Sequence, residues 1–126
     1  MHNRTDDFSP LTLAFVGDGV YDLLVREYLV RQANRPVGEL NKTKVAMVNC
    51  KSQAKIAVAL MPHLTEKEVA VYKRGRNAAP KSTAKNGTIA EYHSATGLEC
   101  LFGYLHLNGE HDRINELFDR IVQLQS

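Results

Sequence analysis

The hydrophobic positions of the chain fall into blocks that read as helices, each bounded by a cap, a proline or a glycine. Ser9-Pro10 supplies an N-cap and a proline at the first helical position. Leu11, Leu13, Phe15, Val16, Val20, Leu23, Leu24, Tyr28 and Val30 follow too densely for one narrow stripe. A helix over roughly 10 to 33 is therefore expected to be central and buried on more than one side. Arg35-Pro36 ends it. From Val37 to Leu60 apolar residues lie on nearly all sides, which predicts two shorter helices with a break near Asn49. Pro62 stops this region, and Thr65-Glu66-Lys67-Glu68 is a capping box opening a helix that Gly75 and then Pro80 are expected to break. A strongly apolar helix over roughly 88 to 107 ends at Asn108-Gly109, and Glu110 to Gln125 reads as a last amphipathic helix. The expected architecture is a single all-α domain, structured over 9–125, with a basic loop over 76–88.

Length and composition agree with this. The chain has 126 residues, enough for one domain with a real core, and 44% hydrophobic against 24% charged residues describe an ordinary globule. Its formal net charge is only +2, but the charge is uneven: Lys73, Arg74, Arg76, Lys81 and Lys85 fall between Tyr72 and Ala90 with no acid among them, leaving the rest net acidic. Such asymmetry points to an anionic partner at one surface. Cys50 and Cys100 are too far apart for a metal-binding pair and too few for a disulfide framework, so both are expected to be reduced core residues. No signal-like or membrane-length apolar run is present, and the cytoplasm is the expected compartment.

Two carboxylates interrupt the pattern. Asp18 stands between Gly17 and Gly19 in the run Phe15-Val16-Gly17-Asp18-Gly19-Val20, and Glu99 stands among Leu98, Leu101 and Phe102 with Gly97 and Gly103 nearby. A carboxylate taken out of water costs several kcal/mol unless paired, hydrogen-bonded or bound to metal. The glycines weaken their helices, a cost best understood where another backbone or a ligand comes close. Two such groups form a minimal hard-cation site, with waters and a phosphate oxygen completing the octahedron that Mg²⁺ demands. The alternatives are that Asp18 caps a helix or makes a turn, and that Glu99 pairs with a lysine or arginine. Asp22, four residues from both Asp18 and Arg26, reads as the partner of Arg26 rather than a second ligand. The stripe of Lys44, Lys51 and Lys55 reads as a solvated edge. The His111-Asp112 dipeptide lacks a second histidine at helical spacing, and His93 and His106 read as hydrogen-bonded helix residues. From Ala78 to Gly87 the chain is small, polar and basic, suited to phosphates.

The stretches from Phe15 to Val20 and from Thr96 to Gly103 resemble the two acidic motifs of the ribonuclease III family. The chain departs from the full-length enzymes: it has Leu11 and Ala14 where they carry further glutamates, and Thr96 where they carry an aspartate. No residues follow Ser126 to form their double-stranded RNA-binding domain. These departures, with Arg74-Gly75-Arg76-Asn77, are similar to the compact bacterial branch called Mini-ribonuclease III. The resemblance implies an all-helical homodimer that cuts both strands of an RNA duplex using Mg²⁺ and trims precursors of large-subunit (23S) ribosomal RNA. It assigns catalysis and metal binding to Asp18 and Glu99 and the twofold interface to Phe15. RNA contacts are expected at Arg74, Arg76, Asn77, Lys81 and Lys85. The runner-up is a non-catalytic RNA-binding or ribosome-associated dimer of the same fold, which loss of either acid would have favoured; a ribosomal protein partner is left open.

Overall fold

The computed structural model describes residues 5–80 and 88–125, and among them six α-helices and two short 3-10 turns account for the regular structure. Helix α1 spans Pro10–Gln32, α2 Val37–Val48, α3 Cys50–Leu60, α4 Glu66–Ala78, α5 Ile89–Leu107 and α6 His111–Leu124. The starts follow the caps. Ser9 accepts from the Thr12 amide, and Thr65 and Thr88 each form a reciprocal capping box, with Glu68 and Glu91 respectively. Asn49 makes the break between α2 and α3: its side chain accepts from the Ser52 amide at 2.9 Å while its own amide donates to the carbonyls of Val45 and Ala46. That break takes Lys44 and Lys51 off any common straight axis. Lys44 instead reaches Asp22 at 3.3 Å.

Three expectations are corrected. The first is that α1 is central. Its buried residues, Leu13, Ala14, Gly17, Tyr21, Val25 and Leu29, recur at three- and four-residue steps along one side. Leu11, Phe15, Leu23 and Val30 form a second apolar side left exposed by the described residues, Phe15 being 83% exposed. The central helix is α5, buried without interruption over 95–98 and 100–105, with α1, α4 and α3 packed around it. The second is the break at Gly75 and a loop beginning at residue 76. Helix α4 continues through Gly75 to Ala78, because Gly75 is a packing residue: a Cβ there would collide with the Cβ of Cys100. A close approach between helices outweighs the ~1 kcal/mol helix penalty of glycine. The third concerns Cys50, which is only partly buried, whereas Cys100 is buried. The Cys100 thiol donates to the Val71 carbonyl at 3.6 Å.

Helix α6 closes the bundle against α3 and α5 through Ile114, Leu117, Phe118 and Ile121. Its Arg113 donates through Nε and Nη2 to the two oxygens of Glu68, each at 2.7 Å, and through Nη2 to the His63 carbonyl at 2.9 Å; it also pairs with Glu116. Glu68 is 5% exposed, so this bidentate contact ties the first turn of α4 to α6 across the interior.

Candidate functional site

The site is built by a helix crossing with no side chains in its middle. A Cβ on Gly17 would overlap the carbonyl oxygen of Glu99 and lie 2.8 Å from the amide nitrogen of Gly103; a Cβ on Gly103 would overlap the carbonyl oxygen of Leu13. The backbones of α1 and α5 therefore touch directly, and each glycine is required by the closeness of the other helix. A second set of small contacts brings α4 in, since a Cβ on Gly97 would lie 2.8 Å from the Tyr72 carbonyl oxygen. Asp18 is the next residue after Gly17, so the crossing that presses Gly17 onto Glu99 brings the two carboxylates together.

They meet as like charges. Glu99 is half-buried, and its carboxyl is pushed up to about 8, first by burial, then by the charge of Asp18 and a hydrogen bond shared with it. Asp18 itself is exposed, a correction to the expectation that it is taken out of water: α5 covers the Gly17 side of α1 and leaves Asp18 at its rim. Neither alternative role is found among the described residues. Asp18 lies within α1, nine residues after its Ser9 cap, and the groups acting on Glu99 are Asp18 and Gln53, with no lysine or arginine between them. Gln53, 2% exposed on the first turn of α3, donates its side-chain amide to the Glu99 carboxylate and draws its pKa down against the other influences. Sequence reasoning missed Gln53. Its signal is register: Gln53, Ile56, Ala57 and Leu60 share the core face of α3, and a polar residue there needs a partner.

Two adjacent carboxylates with no neutralising cation among the described residues suit a divalent metal ion, which would offset the burial and the like charge that raise the Glu99 pKa. No cluster of three or more His, Cys, Asp or Glu side chains that could hold a metal occurs among the described residues. The donor set thus fits a hard ion that keeps several waters and takes substrate oxygens, as Mg²⁺ does, better than a fully protein-caged ion.

The other sequence-predicted residues divide. Arg74, Arg76 and Asn77 lie on the last turns of α4 rather than in a loop, with the Arg76 guanidinium 5.8 Å from the Tyr72 ring centre. Burial raises the Cys100 thiol to about 11, while Arg74 draws it down, so that arginine stands near the turn of α5 that carries Glu99. Lys81 and Lys85 lie outside the described residues. Asp22 bonds Arg26 at 2.5 Å and Lys44 at 3.3 Å; burial raises its pKa but the two cations outweigh this and hold it low, so it is committed to them rather than to a metal. His93 makes a 3.2 Å hydrogen bond with the Pro80 carbonyl, as a helix residue rather than a ligand.

Residues 11–110 match the ribonuclease III domain family. The chain belongs to the ribonuclease III family. It is 41% identical over 116 residues to a Mini-ribonuclease 3 of Thermoanaerobacter sp. (strain X514), covering 92% of this chain and 82% of that one. It is 44% identical over 109 residues to a Mini-ribonuclease 3 of Brevibacillus brevis (strain 47), covering 86% and 81% respectively. An X-ray structure of a Fusobacterium nucleatum protein superimposes with a TM-score of 0.84 at 31% identity, covering 93% of this chain and 95% of that one. The ribonuclease III family that the two acidic motifs resemble, and its compact branch that the departures from the full-length enzymes resemble, are thereby shown, and with them an RNA endonuclease. No described helix is long and apolar enough to cross a membrane.

Proposed function

We propose that this ribonuclease III-family chain cleaves both strands of an RNA duplex with Mg²⁺ held by Asp18 and Glu99. The observation that carries this reading is the like-charge pair itself, two carboxylates brought together by a backbone crossing with no cation beside them among the described residues. Bound there, the ion would supply Lewis-acid activation of an attacking water and neutralise charge gathering on the scissile phosphate. The chain's own residues do the rest. Asp18 offers its oxygens from the exposed rim of α1, and Glu99 would hold the ion as a carboxylate, its proton passing to solvent. Arg74, Arg76 and Asn77 present donors to phosphates at the end of α4, and Lys81 and Lys85 extend the same basic tract. A-form RNA hides its base edges in a deep groove, so recognition rests on backbone shape and 2′-hydroxyls. Cleavage leaves 5′-phosphate and 3′-hydroxyl ends, as the family resemblance implies.

The uncovered side of α1 supports a twofold homodimer with Phe15 in the interface. Leu11, Phe15, Leu23 and Val30 are exposed, and the place of a Cβ on Gly19 is open, with no atom within 4 Å. A C2 axis there would set two carboxylate pairs against the two strands of one duplex. Trimming of 23S ribosomal RNA precursors is the assigned role, supported by the family resemblance alone. The test is cleavage of a long RNA duplex by the purified protein in Mg²⁺ with sedimentation of the same sample. Paired cuts by a dimer, abolished in Asp18→Asn, are expected; an intact duplex in Mg²⁺ would leave the non-catalytic RNA-binding dimer in its place.

A further inference from the structure

Gln53 is the third corner of the site, and nothing in the two acidic motifs points to it. It comes from α3, 35 residues after Asp18 and 46 before Glu99, and it occupies a core-facing position otherwise held by Ile56, Ala57 and Leu60. A buried amide without a partner costs roughly 1–3 kcal/mol. Its partner is the Glu99 carboxylate.

We infer that Gln53 is a positioning residue: its side-chain amide fixes the orientation of the Glu99 carboxylate against Asp18, and so the geometry in which the pair takes a divalent cation. This rests on the metal-dependent reading above. Three observations carry it. The residue is 2% exposed, so its amide is shielded from competing water. Its chemistry is neutral. A lysine or arginine in its place would close a salt bridge with Glu99 and occupy the oxygens a metal needs, and a third carboxylate would add to the repulsion, whereas an amide orients without doing either. Its backbone is fixed by the joint between α2 and α3. The Gln53 amide nitrogen donates to the Asn49 carbonyl at 3.0 Å, the Ser52 amide nitrogen donates to the Asn49 side chain at 2.9 Å, and the Ser52 hydroxyl donates to the Ala46 carbonyl at 2.7 Å. The long glutamine side chain thus starts from a held Cα and ends on Glu99.

The experiment replaces the amide with apolar groups of similar size, in Gln53→Leu and Gln53→Met. Mn²⁺ binding to the RNA-free protein is followed by electron paramagnetic resonance, alongside thermal midpoint and the Mg²⁺ dependence of duplex cleavage. A positioning role predicts a thermal midpoint at or above that of the wild type and an Mn²⁺ dissociation constant raised about 10-fold or more, the usual effect of removing a hydrogen bond to a metal ligand. The Mg²⁺ concentration for half-maximal cleavage should rise in parallel. A folded Leu or Met variant with wild-type Mn²⁺ affinity overturns the proposal, and so does failure of both to fold, which would assign Gln53 to packing. A wild type that binds Mn²⁺ without cutting duplex RNA removes the nuclease reading while the affinity comparison still decides the role of Gln53. A wild type that does not bind Mn²⁺ removes both.

Discussion

Two glutamates lie in the interior of this bundle, at opposite fates. Glu68, at the corner of α4 and α6, receives both forks of Arg113 and the Thr65 amide; burial raises its pKa, but these donors outweigh it and hold the carboxyl low. Glu99, where α1, α3 and α5 meet, faces Asp18 and a neutral amide, and its carboxyl is pushed up to about 8. The first corner is electrostatically complete and the second is not. Burial alone does not mark a functional carboxylate; burial without a cation does.

Placing the same substitution at both corners gives the largest contrast. Glu99→Gln should fold with a metal-free thermal midpoint no lower than the wild type's, because it removes a charge that the fold opposes, while duplex cleavage falls by more than about 100-fold with the loss of an anionic ligand. Cleavage near the wild-type rate would break the comparison at its functional end. Glu68→Gln should do the reverse. Leaving Arg113 with a weaker partner costs on the order of 3 kcal/mol, lowering the midpoint by roughly 10 °C, with Mn²⁺ affinity unchanged; calorimetry and metal titration check the two halves separately.

The pH dependence sharpens the contrast further. A carboxyl whose folded pKa is raised binds its proton more tightly in the folded chain, so its stabilisation is complete below the ordinary 4.5 and is lost as pH rises to about 8. Glu68 has the opposite sense: its stabilisation is complete above the ordinary value and is lost as pH falls through its depressed folded pKa. In chelator, the thermal midpoint should therefore decline from pH 5 to pH 8 in the wild type, decline less in Glu99→Gln, and decline less again in the wild type with Mg²⁺. Equal slopes in the two metal-free proteins would place the titration elsewhere. The smallest effect belongs to a third buried polar group, the Tyr21 hydroxyl, which has no hydrogen-bond partner among the described residues and whose pKa is raised by burial among Phe102 and Phe118. Tyr21→Phe should change stability by less than about 1 kcal/mol, in the stabilising direction, since it removes an orphaned hydroxyl without leaving a partner unpaired.

What was legible in the chain was whatever its own neighbours decide. Ser9-Pro10, the Asn49 break and the Thr65–Glu68 box are closed by contacts within four residues, and the helices begin and end there. Gly75 misled because its reason lies on another helix, at Cys100. Asp18 and Glu99 stood out as charges in apolar runs, but their relative exposure depends on which side of α1 is covered by α5, which no local pattern states. Gln53 and Arg113 were missed for the same reason in reverse: glutamine on one helix and arginine on another look unremarkable until the glutamates they serve, 46 and 45 residues away, fold against them.

The Gly17–Gly103 crossing has a consequence for engineering. Because the distance between the two acids is set by main chain resting on main chain, it is insulated from the identity of the surrounding side chains. Exchanges at Leu117 and Ile121 on α6 would alter the melting behaviour of the bundle while leaving the spacing of the acids as it is. One methyl group at either glycine would act as a wedge and spoil that spacing even in a well-folded protein. Thermal hardening and catalytic geometry are therefore separable in this scaffold, and a designer has the packing face of α6 to vary and two positions to leave alone.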